Sequence, residues 1–170
     1  DMGALERLAE AQISSNLADD SLKLSDVDYL RASGWAAQIN PDGLMLYRLK
    51  YANDHREYAQ TLRRVYSLAV GKAFRMRLTI SHQDLHELAE NTLRHWVAPI
   101  CPSCLGRGYE KRPDAPMLTD KECSHCKGAG HLPLERAVKS NLKLAEWLAL
   151  KLDSSMGAFI ASARNATETY

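Results

Sequence analysis

The sequence predicts a mostly α protein, a helical bundle into which a small four-cysteine module is inserted. Three observations carry this. Apolar residues recur at helical spacing over most of the chain, and no stretch alternates with period two for long enough to suggest a sheet. All four cysteines lie between positions 101 and 126, in two Cys-x-x-Cys pairs that each continue into x-Gly-x-Gly. The remaining composition is that of an ordinary globular chain, 45% hydrophobic and 25% charged over 170 residues, with apolar runs of only a few residues. Such short runs predict no membrane span. The acids in "DMGALERLAEAQ" predict no secretory signal, and a reducing cytosol is the expected compartment.

Each element follows from local chemistry. "MGALERLAEAQISSNLA" sets Leu5, Leu8, Ala9 and Ile13 on one face of an acidic helix. "LSDVDYLRASGW" predicts a short helix capped by Ser25 and stopped near Gly34. "NPDG" at 40–43 is turn chemistry, with Pro41 suited to the first position of the next helix. From Leu44 to Phe74 the pattern is helical with a break near Asn53, and Tyr58, Leu62, Val65, Tyr66, Ala69 and Ala73 form its apolar stripe. Ser81 caps a further helix, with Leu85, Leu88, Ala89, Leu93 and Trp96 inward, and Pro99 ends it. After the cysteines, Pro133 opens a helix with Val138, Leu142 or Ala145, Leu148 and Leu152 inward. "DSS" at 153–155 predicts a tight turn into a last short helix, with "ATETY" frayed at its end. The expected organisation is a helical region over 1–100, the cysteine module over 101–133, and a helical hairpin over 134–170 packing on the N-terminal helices. The three tryptophans are expected in the core.

Cys101, Cys104, Cys123 and Cys126 have the spacing of a tetrahedral zinc site: each Cys-x-x-Cys turn brings two sulfurs to one ion, and two turns complete the set. Four soft ligands and no open position point to one structural Zn²⁺ rather than a catalytic one. Gly106, Gly108, Gly128 and Gly130 would let the backbone curl under the sulfurs and aim N–H groups at them. A dithiol redox centre or a pair of disulfides leaves the doubled glycine tail unexplained. The predicted fold is therefore a helical bundle with an inserted small four-cysteine zinc-binding module.

Charge is zoned along the chain. Residues 1–44 hold eight acids and three bases, whereas residues 45–80 hold eight bases against Asp54 and Glu57. Such a basic zone suits a polyanion or an acidic partner helix. Candidate DNA contacts are Arg63, Arg64, Lys72, Arg75 and Arg77, and, on the helices after the cysteines, Arg136, Lys139 and Lys143. The alternatives are a solvated helix face and a plain αα-hairpin. His82 and His86 are four apart on a helix, but the metalloprotease phrase needs Glu where Gln83 stands. There is no phosphate-cradling glycine loop and no nucleophile elbow, so neither an enzyme nor a small-molecule substrate is expected.

The phrase Cys-x-x-Cys-x-Gly-x-Gly is similar to the repeat unit of the DnaJ-type cysteine-rich domain, although only two copies occur here and no His-Pro-Asp. The order "LHELAENTLRHWVAPICPSCLGRGY", polar loop, "CSHCKGAGHLP", then further helices resembles the late-gene antitermination proteins of the lambdoid phage Q type, over roughly residues 81–165. That resemblance implies a zinc-containing DNA-binding factor in the host bacterial cytoplasm. Its partners would be double-stranded DNA at a late promoter and bacterial RNA polymerase, core and sigma factor, and its effect terminator read-through. The DnaJ-like alternative implies a zinc-stabilised protein-interaction module without DNA binding. Single-stranded RNA is a third expected partner class.

Overall fold

The computed structural model describes residues 26–111 and 118–168. The acidic helix expected over 2–18, the Ser25 cap and the middle of the polar loop lie outside these residues. Among the described residues there are six α-helices, one 3₁₀ turn and one two-stranded antiparallel ribbon. The fold class is therefore mostly α with a small cysteine module set between helices. No helix among the described residues is long and apolar enough to cross a membrane.

The helices are α1 (Asp26–Ile39), α2 (Pro41–Lys50), α3 (Tyr58–Arg75), α4 (His82–Val97), α5 (Leu134–Ala137) and α6 (Leu142–Glu168). The 3₁₀ turn is His55–Glu57, and the ribbon pairs β1 (Tyr109–Lys111) with β2 (Leu118–Glu122). The chain forms two compact units, Asp1–Arg64 together with Leu150–Tyr170, and Val65–Ala149. This grouping differs from the three-part division expected from the sequence, because α3 and α6 each contribute to both units.

In the first unit, α1 runs through Gly34 instead of stopping there. A Cβ at Gly34 would meet nothing within 4 Å, so the residue is an ordinary exposed helical glycine, a cost of roughly 1 kcal/mol against Ala. Burial of Ala32 and Ala36 on the neighbouring positions offsets that cost. The helix ends where Asn40, constrained by the ring of Pro41, leaves the helical region at φ −131° and ψ 67°. Pro41 then opens α2, as expected.

Helix α2 meets the second half of α6 at Gly43. A Cβ there would lie 2.5 Å from both the Phe159 Cβ and the Ser155 carbonyl oxygen, so the two backbones approach closely only because residue 43 has no side chain. Tyr47 stacks obliquely on Phe159 with ring centroids 5.5 Å apart, and Asn40 Nδ2 donates to Ser162 Oγ at 3.2 Å. Burial holds the Tyr47 phenol well above its ordinary pKa.

The hairpin expected over 134–170 is a different structure. Residues 153–155 do not turn: α6 continues through them, with Leu152, Met156, Phe159 and Ala163 buried along one face. A continuous buried stripe overrides the turn preference of Asp-Ser-Ser, whose side chains can point away from it. The break falls earlier, at Val138–Asn141, where Asn141 takes φ 53° and its carbonyl accepts from Leu144 and Ala145. The helix also persists through Ala166–Glu168, where fraying was expected.

In the second unit, Ser81 caps α4 as expected, its hydroxyl accepting from the Asp84 N–H at 3.0 Å. Leu85, Leu88, Ala89, Leu93 and Trp96 are buried with Thr92, whose hydroxyl returns to the Leu88 carbonyl. On α3 the buried column is Thr61, Val65, Ala69 and Ala73, while Tyr58, Leu62 and Tyr66 are half-buried. The break expected near Asn53 is present, with Asn53 at φ 52°. Of the tryptophans, Trp96 is buried but Trp35 is half exposed, against expectation.

Candidate metal centre

The four cysteines lie at the ends of two short loops that repeat each other 22 residues apart. Residues after the second cysteine of each pair follow one backbone course: Leu105 and Lys127 at φ 51° and 53°, Gly106 and Gly128 at 83° and 82°, Gly108 and Gly130 at 79° and 74°. This left-handed course curls the chain under the sulfurs. It lets the Gly108 N–H donate to Cys104 Sγ at 3.3 Å and the Gly130 N–H donate to Cys126 Sγ at 3.2 Å. The glycines thus do what their spacing predicts.

The two loops are clasped through each other. The Cys101 N–H donates to the Gly130 carbonyl at 2.9 Å, and the Cys123 N–H donates to the Gly108 carbonyl at 2.7 Å. At the crossing, a Cβ on Gly108 would come within 2.4 Å of the Gly128 carbonyl oxygen, and one on Gly130 within 2.5 Å of that of Gly106. The ribbon leads out of one loop and into the other, pairing Tyr109 with Glu122 and Lys111 with Leu118 around a bulge. Lys121 reaches Glu110 across it at 3.0 Å.

All four sulfurs are buried, unbonded to one another, and within 4.8 Å of each other. Cys101 Sγ and Cys123 Sγ are 4.0 Å apart, and Cys104 Sγ and Cys126 Sγ 3.7 Å. Sulfurs tetrahedrally placed at about 2.3 Å from one ion would be about 3.8 Å apart. The set therefore fits a single metal ion, and the disulfide alternative does not describe it. Burial is the largest influence on the Cys104 and Cys126 thiols. It pushes Cys126 up to about 11, whereas at Cys104 the Gly108 amide and the Cys126 and Cys101 thiols overcome it and hold the thiol below its ordinary value. A cation held among the four sulfurs would favour their thiolate forms.

The centre is anchored to α4 and α5. Ile100 and His131 form an antiparallel bridge, the Leu132 N–H donates to the Pro99 carbonyl, and His95 Nε2 hydrogen-bonds the Leu132 carbonyl at 2.7 Å. Leu132 is buried with the four cysteines. Arg136 donates from Nη1 to the His125 carbonyl, between the second pair of cysteines. Neither anchor was evident in the sequence, where His95 is one polar residue on a helix and Arg136 one base among several. The only available hint was their closeness in sequence to the module.

The predicted DNA contacts divide between the units, Arg63 and Arg64 in the first and the other six in the second. Arg64 is paired with Asp42 at 2.9 Å, and the Lys72 ammonium lies 4.9 Å from the centre of the Trp147 ring. Arg136 is engaged with His125. Arg63, Arg75, Arg77, Lys139 and Lys143 are exposed and make no ion pair among the described residues. His82 Nδ1 lies 2.8 Å from the Tyr66 hydroxyl, and His86 stacks near the same ring at 5.5 Å. Among the described residues, the four cysteines alone form a group able to hold a metal. No protein-family model matches the chain, and no curated protein matches it.

Proposed function

We propose that the protein is a DNA-binding transcription antitermination factor resembling the lambdoid phage Q type. It would join RNA polymerase at a late promoter and promote read-through of terminators. The observation that carries this is the order of parts. A helix, α4, runs straight into a clasped pair of glycine-tailed Cys-x-x-Cys loops, which deliver the chain into further helices with exposed bases. The ion we propose for the centre is zinc, held by Cys101, Cys104, Cys123 and Cys126. Its role is structural, because four thiolates fill a tetrahedral shell and leave no position for a substrate. Arg63, Arg75, Arg77, Lys139 and Lys143 would contact phosphates, while Arg64, Lys72 and Arg136 first serve the fold through the partners described above.

The test is capture of bacterial RNA polymerase by the tagged full chain, with and without a late-promoter fragment. Promoter-dependent capture, together with DNA affinity that falls steeply as salt rises, is the expected outcome. Capture without any DNA dependence, and DNA affinity indifferent to salt, would sink the proposal.

A DnaJ-like protein-interaction module is the second reading. What favours it is the apolar surface of the metal module, where Ile100, Leu105, Tyr109 and Leu118 are all exposed.

A further inference from the structure

Helix α3 is capped with a residue that its capping motif does not favour. Its last turn closes as a Schellman motif: the Arg77 N–H donates to the Phe74 carbonyl at 3.0 Å and the Leu78 N–H to the Ala73 carbonyl at 3.0 Å. The residue that must turn left-handed in this motif is usually glycine, and here it is Arg77 at φ 55°. A side chain in that conformation costs roughly 1–2 kcal/mol that glycine would avoid. One turn back, Phe74 is 84% exposed, the most exposed large apolar residue among those described. Phe74, Arg75, Arg77 and Leu78 line one shallow surface depression. Both arginines lack an acidic partner among the described residues, and α3 itself contains no acid.

An aromatic face in water beside two uncompensated guanidinium groups is the chemistry of a base-stacking platform. The ring takes a nucleobase, and the arginines take neighbouring phosphates. Duplex DNA offers phosphates but keeps its bases stacked on each other, so Phe74 would gain little there. We infer that the Phe74–Arg75–Arg77 cap of α3 binds an unpaired nucleotide of a single-stranded nucleic acid. A purely apolar protein partner would match Phe74 but not two unpaired positive charges. This inference rests on reading the α3 arginines as a nucleic-acid surface, and not on antitermination.

The experiment is fluorescence anisotropy of the full, zinc-loaded chain with labelled 20-nucleotide oligo-dT, oligo-rU and a 20-base-pair duplex. Phe74→Ala should weaken strand binding about tenfold, with Phe74→Trp restoring it, while duplex binding changes less than twofold. Arg77→Gly should weaken strand binding and lower its salt slope by about one, yet leave the thermal midpoint unchanged or raised. A residue kept only for the fold would lower it. Preference for dT or rU identifies DNA or RNA as the source, and either supports the inference. Strand binding insensitive to Phe74→Ala, or fully kept by Phe74→Leu, overturns it, the latter in favour of apolar docking. Loss of midpoint in Arg77→Gly also overturns it. Absence of binding to any of the three probes would sink the DNA-binding function as well, whereas duplex binding with no strand preference sinks the inference alone.

Discussion

The metal module and the crossing of α2 with α6 both depend on glycines where a Cβ would collide with backbone, but only the module also needs their left-handed conformation. In the module, Gly108 and Gly130 supply a backbone conformation, φ 79° and 74°, that aims an N–H at a sulfur. At Gly43 the conformation is ordinary helix, and what matters is the absent side chain, which lets Phe159 and Ser155 approach. The first is held by hydrogen bonds around a small buried volume that fits one metal ion. The second is held by packing. Local chemistry is written in a motif, whereas packing is written only in what happens to lie opposite.

Removing the ion separates the two most sharply. Cys101→Ser or Cys126→Ser should abolish binding of one equivalent of zinc and disorder residues 101–131. Metal supplies on the order of 10–16 kcal/mol in small zinc modules. Zinc content by a colorimetric chelator, alongside far-ultraviolet circular dichroism, checks this, and helicity of the remaining chain should largely survive. Next in size, Gly108→Ala and Gly130→Ala should each cost about 2–4 kcal/mol, from a left-handed alanine and a collision with backbone. Because the loops mirror each other, the two losses should agree, which denaturant titration can measure. Gly106→Ala should cost less, since its Cβ would meet the Ile100 side chain at 3.3 Å and the Gly130 carbonyl oxygen only at 4.0 Å.

Gly43→Ala should lower stability by about 1–3 kcal/mol, the overpacking outweighing the better helix propensity of alanine. Zinc stoichiometry should not change, and a loss of zinc would show that the two regions are not independent. The smallest expected effect is Ser81→Ala, about 1 kcal/mol in thermal unfolding, from the lost α4 cap.

The same contrast explains what could be read in advance. The cysteines, their glycines, the Ser81 cap and the Pro41 start each declare themselves through a few adjacent residues. Gly34 and Asp153-Ser154-Ser155 misled because they are local turn signals overruled by distant burial. The helix through Gly34 is kept by Ala32 and Ala36 going inward, and the helix through 153–155 by Leu152, Met156 and Phe159. Burial likewise pulls the Lys50 ammonium below its ordinary pKa, against the attraction of Asp153 on α6. The cross-clasp of Cys101 to Gly130 and of Cys123 to Gly108 was legible only as a repeated phrase. Nothing in either copy says that it will bond to the other.

That reciprocal bonding means neither cysteine loop is complete alone, yet neither depends on the length of chain joining them. The connection between β1 and β2 can be lengthened at the cost of only a slowly growing closure entropy. It is therefore the natural place to graft a fluorophore or affinity peptide while leaving the four-cysteine cage intact.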